Sequence, residues 1–252
     1  MPKMLKMLDS SDRFTIQKKD IFDLPMRLLI IGRTGCGKSS LLGNLLLRKD
    51  FYRGDWEPEN IYIFSGSLKG DAKLKIMIEE LEIPSSNLFD SFNEDMGHII
   101  YDQIEEEYNE AVNNNMKPKQ HLIIFDDLGF TNLQKINKKN SILDRIFCNG
   151  RKYLISTITL NQKLTQLSTT AREQCSGLIL YQCTNKSLDL CEQDFNYLES
   201  KKKFHTMVRN NTKDKHNYLV INFSNGRNVY QNEDFNNICV CDGESKCGGK
   251  KT

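Results

Sequence analysis

Gly32-Arg33-Thr34-Gly35-Cys36-Gly37-Lys38-Ser39 decides the fold, because it fits the phosphate-loop pattern G-x-x-x-x-G-K-[ST] at every fixed position. Its flanks agree. Leu28-Leu29-Ile30-Ile31 reads as a short buried strand entering the loop, and Ser39 through Leu47 reads as a helix leaving it. Glycines at 32, 35 and 37 let successive backbone N–H groups face phosphate oxygens that bulkier residues would obstruct, and the helix start adds its positive dipole end. Arg33 and Thr34 complete the turn, and Cys36 is read as a small filler rather than a ligand. Lys38 brings a point charge to the β- and γ-phosphates, Ser39 offers a hydroxyl to Mg²⁺, and Ser40 closes the cradle. The segment predicts ATP with Mg²⁺.

Downstream, Leu122-Ile123-Ile124-Phe125-Asp126-Asp127 puts two carboxylates at the end of a very apolar strand. In an open parallel sheet that end is the ligand-binding edge. Asp126 fits a Mg²⁺ role, and Asp127 is suited to polarising the water that attacks the γ-phosphate, so hydrolysis is expected. The strand Tyr153 to Leu160 delivers Asn161-Gln162 to the same edge, where Gln162 can hydrogen-bond the γ-phosphate or that water. Arg151 precedes this strand and therefore lies at the opposite edge, roughly 25 Å from its own nucleotide at 3.3 Å per residue. It is placed to reach the site of an adjacent subunit, as an arginine finger supplied in trans does. Arg172, down the following helix, is a second candidate.

The sequence holds 35 basic and 33 acidic residues, a net charge of +2, so any contact with a polyanion must be local. Without a sustained apolar segment at the start or a long apolar run elsewhere, an intracellular, soluble protein with no membrane contact is expected. Cysteines at 36, 148, 175, 183, 191, 239, 241 and 247 do not read as a disulfide framework. Cys239, Cys241 and Cys247 lack a nearby His and make an incomplete zinc set.

Strands are expected at Met26–Ile31, Ile61–Phe64, Leu122–Phe125, Tyr153–Leu160, Gly177–Tyr181 and Tyr218–Phe223. Helices are expected at Ala72–Leu81, Ile99–Asn113, Ser141–Cys148, Lys163–Gln174 and Leu188–Lys201. The alternation predicts an α/β fold, a mainly parallel sheet covered by helices on both faces. Tyr218 to Phe223, Ser224-Asn225-Gly226 and Arg227 to Tyr230 predict a β-hairpin capping one edge. The expected organisation is an arm over 1–19, the nucleotide-binding domain over 20–235 and a Cys/Gly/Lys tail over 236–252.

Taken together, Leu29 to Ser40, Leu122 to Leu128 and Gly150 to Gln162 resemble the poxvirus-type genome-packaging ATPases of the FtsK/HerA superfamily, over roughly residues 20–225. Where relatives often carry His after the lead-in arginine this chain has Lys152, and where many carry Glu it has Asp127. The resemblance implies a homo-oligomeric ring that drives double-stranded DNA into a preformed viral capsid, in the host cytoplasm or virion. Lys38, Ser39, Asp126, Asp127, Gln162 and Arg151 would hold the roles given above. Lys135, Lys138 and Lys139, then Lys201 to Lys203, are the first choices for DNA phosphates. Other P-loop functions stay open. A GTPase would use Asp126 to Gly129 and Asn185-Lys186, although Asp189 falls one residue too late for the guanine pattern; a nucleotide kinase would need a lid rich in arginine, and a helicase or DNA pump unrelated to capsids would share every motif.

Overall fold

The computed structural model describes residues 14–18, 21–127, 141–198, 200–224 and 230–238. Its strands are β1 (Arg27–Ile31), β2 (Ile61–Ser65), β3 (Leu88–Phe89), β4 (His121–Asp126), β5 (Ile155–Asn161), β6 (Gly177–Tyr181), β7 (Tyr218–Asn222) and β8 (Tyr230–Gln231). They form one sheet in the order β3-β2-β4-β5-β1-β6-β7-β8. Every pairing from β3 to β6 is parallel, and β7 and β8 are antiparallel. The expected hairpin strands therefore do close one edge, although their connection, 225–229, lies outside the described residues.

The helices are α1 (Lys38–Leu47), α2 (Ala72–Glu80), α3 (Glu94–Asn113), α4 (Ile142–Asn149), α5 (Thr169–Glu173), α6 (Asn185–Phe195) and α7 (Lys201–Asn211). Alternate residues of each central strand enter opposite cores, as the two-residue period of a strand requires. Leu28, Ile30, Leu122 and Ile124 pack with Leu41 and Leu45 of α1 and Met77 of α2. Leu29, Ile31, Ile123 and Phe125 pack with Ile104 of α3, Phe147 of α4 and Phe204 of α7. Burial on both faces is why these strands read as unbroken apolar runs. No described helix is long and apolar enough to cross a membrane.

Local capping moves several expected boundaries. α3 starts ahead of Ile99 because Asn93 Oδ1 accepts from Met96 N and Glu94 and Asp95 fill the first turn. The helix expected over Lys163–Gln174 splits into a 3₁₀ turn at Leu164–Gln166 and the short α5. Ser168 causes the break: extended itself, it caps α5 by accepting from Ala171 N at 3.0 Å. The helix expected over Leu188–Lys201 likewise ends at Phe195, where Asn196 turns extended and Tyr197 N donates to Tyr230 Oη.

What positions the site is register. Ile31 of β1 pairs with Asn161 of β5, and Leu160 of β5 pairs with Asp126 of β4. The end of the P-loop strand and the end of the acidic strand thus share one edge with one strand between them. Residues 128–140, with Lys135, Lys138 and Lys139, lie outside the described residues, as do Cys239, Cys241 and Cys247.

Candidate nucleotide-binding site

The loop leaving β1 is shaped by two glycines with different jobs. A Cβ on Gly32 would sit 2.5 Å from Cys36 Sγ and 2.8 Å from Tyr181 Cβ, so the loop turns tightly over β6 only because that atom is missing. Gly37 has φ 114, a left-handed value at the N-cap of α1 that an L side chain rarely adopts. No side chain caps α1, whereas Asp71, Asn93, Ser141, Ser168 and Thr184 cap α2 to α6. Its first N–H groups are therefore directed at whatever the loop encloses. Cys36 is buried against Gly32, and burial pushes its thiol up from the ordinary value, which keeps it a neutral packing group. Lys38 Nζ lies along the loop, donating to Gly32 O at 2.7 Å and Arg33 O at 3.2 Å.

A cavity of about 370 Å³ brings the loop and the strand ends together. Thr34, Gly35, Gly37, Lys38, Ser39 and Ser40 line one side, and Asp126, Asp127 and Gln162 line the other. The two acids differ. Asp126 is 7% exposed and its Oδ2 accepts from Ser65 Oγ at 2.8 Å and Ser67 Oγ at 2.9 Å. Burial pushes its carboxyl up from the ordinary value, and the two hydroxyls oppose that by stabilising the ionised form. Asp127 is more open, with φ 46, a costly value for a residue with a side chain, and its Oδ1 accepts from Gln162 Nε2 at 3.2 Å. Asn161 is buried, so Gln162 is the member of that pair on the cavity wall.

Sequence reasoning missed Ser65, Ser67, Asp71, Lys73 and His216. Ser67, Asp71, Lys73 and His216 line the cavity, and Lys73 Nζ donates to Ser40 Oγ at 2.5 Å. His216 Nδ1 lies 3.0 Å from Cys36 O, fastening the loop to the segment before β7. The available signal was the polar end of the β2 run: Ser65 pairs with Asp126 in the sheet, and the expected strand stopped at Phe64.

The two arginines part company. Arg151 sits on a 3₁₀ turn, Gly150–Tyr153, at the amino end of β5, and with Arg27 and Glu173 it lines a separate cavity of about 380 Å³. Arg172 is 12% exposed, with Nε donating to Asp194 Oδ2 at 2.8 Å and Nη1 to Leu167 O at 3.0 Å. These bonds make it a tie between α5 and α6 within its own subunit.

The family described as Poxvirus A32 protein matches residues 91–245. No curated protein matches the chain by sequence. The genome packaging NTPase B204 from Sulfolobus turreted icosahedral virus 2, in complex with AMP, is similar in structure, with a TM-score of 0.56 at 14% identity over 82% of this chain and 96% of that one. The DNA-packaging ATPase B204 from Sulfolobus Turreted Icosahedral Virus gives a TM-score of 0.53 at 13% identity over 83% of this chain and 97% of that one. The cytoplasmic domain of the Thermomonospora curvata Type VII secretion ATPase EccC gives 0.52 at 12% identity, over 82% of this chain but 23% of the longer protein. At these identities the structural likeness shows a shared P-loop ATPase fold.

Proposed function

This chain belongs to the Poxvirus A32 protein family, and on that premise we propose that it is an ATP-driven motor that moves double-stranded DNA into a preformed viral capsid. The chain is an ATPase. The observation that carries the reading is the single cavity in which the phosphate loop meets Asp126, Asp127 and Gln162. The likeness to B204, a genome packaging NTPase, supports the choice of DNA as cargo.

In this reading the α1 N–H groups and Lys38 hold the β- and γ-phosphates. Asp127 orients and polarises the attacking water, and Gln162, bonded to Asp127, senses whether the γ-phosphate is present. Mg²⁺ fits the donors on offer: the Ser39 hydroxyl and Asp126 carboxylate are hard oxygens, and Ser65 and Ser67 fix the carboxylate's orientation. Among the described residues no group of three or more His, Cys, Asp or Glu side chains is placed to hold a metal, so a cation here would need phosphate and water as its remaining ligands. When bound it neutralises charge on the β- and γ-oxygens. Arg151, far from its own cavity, supplies the last positive charge to the neighbouring copy in a ring.

The test is turnover with and without duplex DNA for wild type, Lys38→Ala, Arg151→Ala and an equal mixture of the two variants. Each variant alone should lose at least about 100-fold. Mixing should restore activity at about a quarter of head-to-tail interfaces, those joining an intact cavity to an intact finger. Normal turnover by Arg151→Ala would remove the trans role, and no response to DNA would remove the motor.

A GTPase reading fares worse on its own residues. Asp189 is paired to Lys201 at 2.8 Å, and Asn185 Oδ1 accepts from Arg209 Nη2 at 3.3 Å, so both side chains are engaged between α6 and α7. ATP should outcompete GTP for the cavity.

A further inference from the structure

Beside the nucleotide cavity lies a larger one, about 570 Å³, that shares Thr34 and Gln162 with it. It is lined by three cations, Arg33, Lys163 and Lys186, and by the hydroxyls of Thr165, Thr184 and Ser187, with no Asp or Glu on its wall. Nothing in ATP hydrolysis uses Lys163 or Lys186, and both are exposed. A basic hollow that adjoins the nucleotide cavity at Thr34 and Gln162 wants an acidic occupant.

The same chain carries one. On α3, Asp102, Glu106 and Glu110 repeat every four residues and are exposed, with Glu105 beside them. Arg145 partly neutralises the start of this stripe, reaching Asp102 at 3.2 Å and Glu105 at 2.9 Å, which leaves Glu106 and Glu110 as its outermost charges. The stripe is rigidly linked to the Arg151 turn. Tyr153 packs edge-on against Tyr101 and Tyr108 of α3, and its hydroxyl donates to Glu105 Oε1 at 2.5 Å. Whatever carries Arg151 toward a neighbour's nucleotide carries α3 with it.

We propose that the acidic face of α3 in one copy docks into the basic cavity formed by Arg33, Lys163 and Lys186 of the next, and that this charge pairing sets the register in which Arg151 reaches the neighbouring nucleotide. The inference rests on the ring reading above. A ring needs a head-to-tail contact, in which two different surfaces of one chain meet, and opposite charge on two such surfaces selects that contact over like-with-like pairing. Nucleic-acid phosphate is the competing occupant of a basic hollow. The contiguity of the acidic stripe with Arg151 favours a second copy.

The test is assembly with ATP and Mg²⁺, followed by sedimentation velocity, together with turnover. Wild type should form a closed oligomer. Lys163→Glu/Lys186→Glu and Glu106→Lys/Glu110→Lys should each sediment as smaller species, with turnover at least tenfold down, because each places like charges across every interface. An equal mixture should reassemble and regain part of the turnover, since every contact between the two kinds of copy restores opposite charges. Neutral variants Lys163→Gln/Lys186→Gln and Glu106→Gln/Glu110→Gln, with unchanged melting, should weaken assembly less than the reversals. Wild-type assembly by both reversals overturns this interface while the ring stands; a wild type that stays monomeric with nucleotide overturns the ring and this contact with it. Intact assembly with loss of DNA-stimulated turnover in Lys163→Glu/Lys186→Glu alone assigns the cavity to nucleic acid instead.

Discussion

The carboxyl ends and the amino ends of the same central strands handle their polar groups in opposite ways. At the carboxyl ends Lys38, Asp126, Asp127 and Gln162 stand around an open cavity, with Asp127 at a positive φ of 46. At the amino ends backbone groups of neighbouring segments are tied to one another. Met26 N donates to Ser156 Oγ at 3.2 Å, Arg27 N to Ser176 Oγ at 2.8 Å, and Thr157 N to Met26 O at 2.8 Å. One end leaves its polar side chains open to a ligand, and the other joins neighbouring strands and so holds the open end in register.

The sharpest way to break this contrast is Asp126→Asn. Turnover should fall on the order of 100-fold or more, because the carboxylate opposite Ser39 is lost. Stability should move the other way. The folded carboxyl is pushed up from its ordinary value, so the ionised form at neutral pH is disfavoured in the folded state, and the neutral amide relieves that. A melting temperature above that of wild type is expected. A lower melting temperature would show that Asp126 is structural joinery, like the residues at the other end.

At the amino end, His121 opens β4 with its side chain 3% exposed, its Nδ1 unpartnered and Nε2 3.8 Å from Glu107. Burial pushes its pKa down to about 4 from 6.5, despite the pull of Glu107. Between those values the unfolded chain binds the proton and the folded one resists it, so stability should fall as pH drops from about 6.5 to about 4, by up to about 3 kcal/mol. Urea unfolding of wild type and His121→Leu across that window measures it. An equally steep loss in the variant would assign the acid sensitivity elsewhere.

Gly177→Ala tests the same end by volume. At the start of β6, a Cβ would fall 2.1 Å from Cε1 of Phe22, a fully buried ring. Overpacking should cost about 1–3 kcal/mol, while turnover per folded molecule is unchanged. Loss of turnover in protein that melts normally would mean that the two ends are mechanically coupled.

The contrast also explains what could be read from sequence. The P-loop was legible because its chemistry lies in one contiguous segment, and the buried parallel strands were legible because burial on both faces leaves continuous apolar runs such as Leu122 to Phe125. The side of the sheet to which Asp126 and Gln162 are delivered followed from parallel strand logic, and Arg151 at the far end followed from counting residues. The rest depended on tertiary partners. A two-residue edge strand such as β3 has no pattern to read, and Ser168 stops one helix through a single hydroxyl. Nothing local to Arg172 announces that Asp194, on another helix, will claim it. Ser67, Lys73 and His216 enter the cavity from three separate segments, each an ordinary polar residue until the fold collects them.

Ser65 and Ser67 provide the finest test, because their role acts through another group. Each donates to Asp126 Oδ2, and each bond favours the ionised carboxylate against the burial that disfavours it. Replacing either with Ala removes one opposing influence, so the Asp126 pKa should rise further and the acid limb of the turnover profile should move to higher pH. Turnover at neutral pH should fall only about 2- to 5-fold for each single change, as expected for the loss of one hydrogen bond to a charged group that keeps another partner. Ser65→Ala/Ser67→Ala should move the acid limb further than either alone. A drop in turnover with the acid limb unmoved would mean that the serines only shape the cavity wall, and that the ionisation of Asp126 is governed by burial and by its neighbour Asp127.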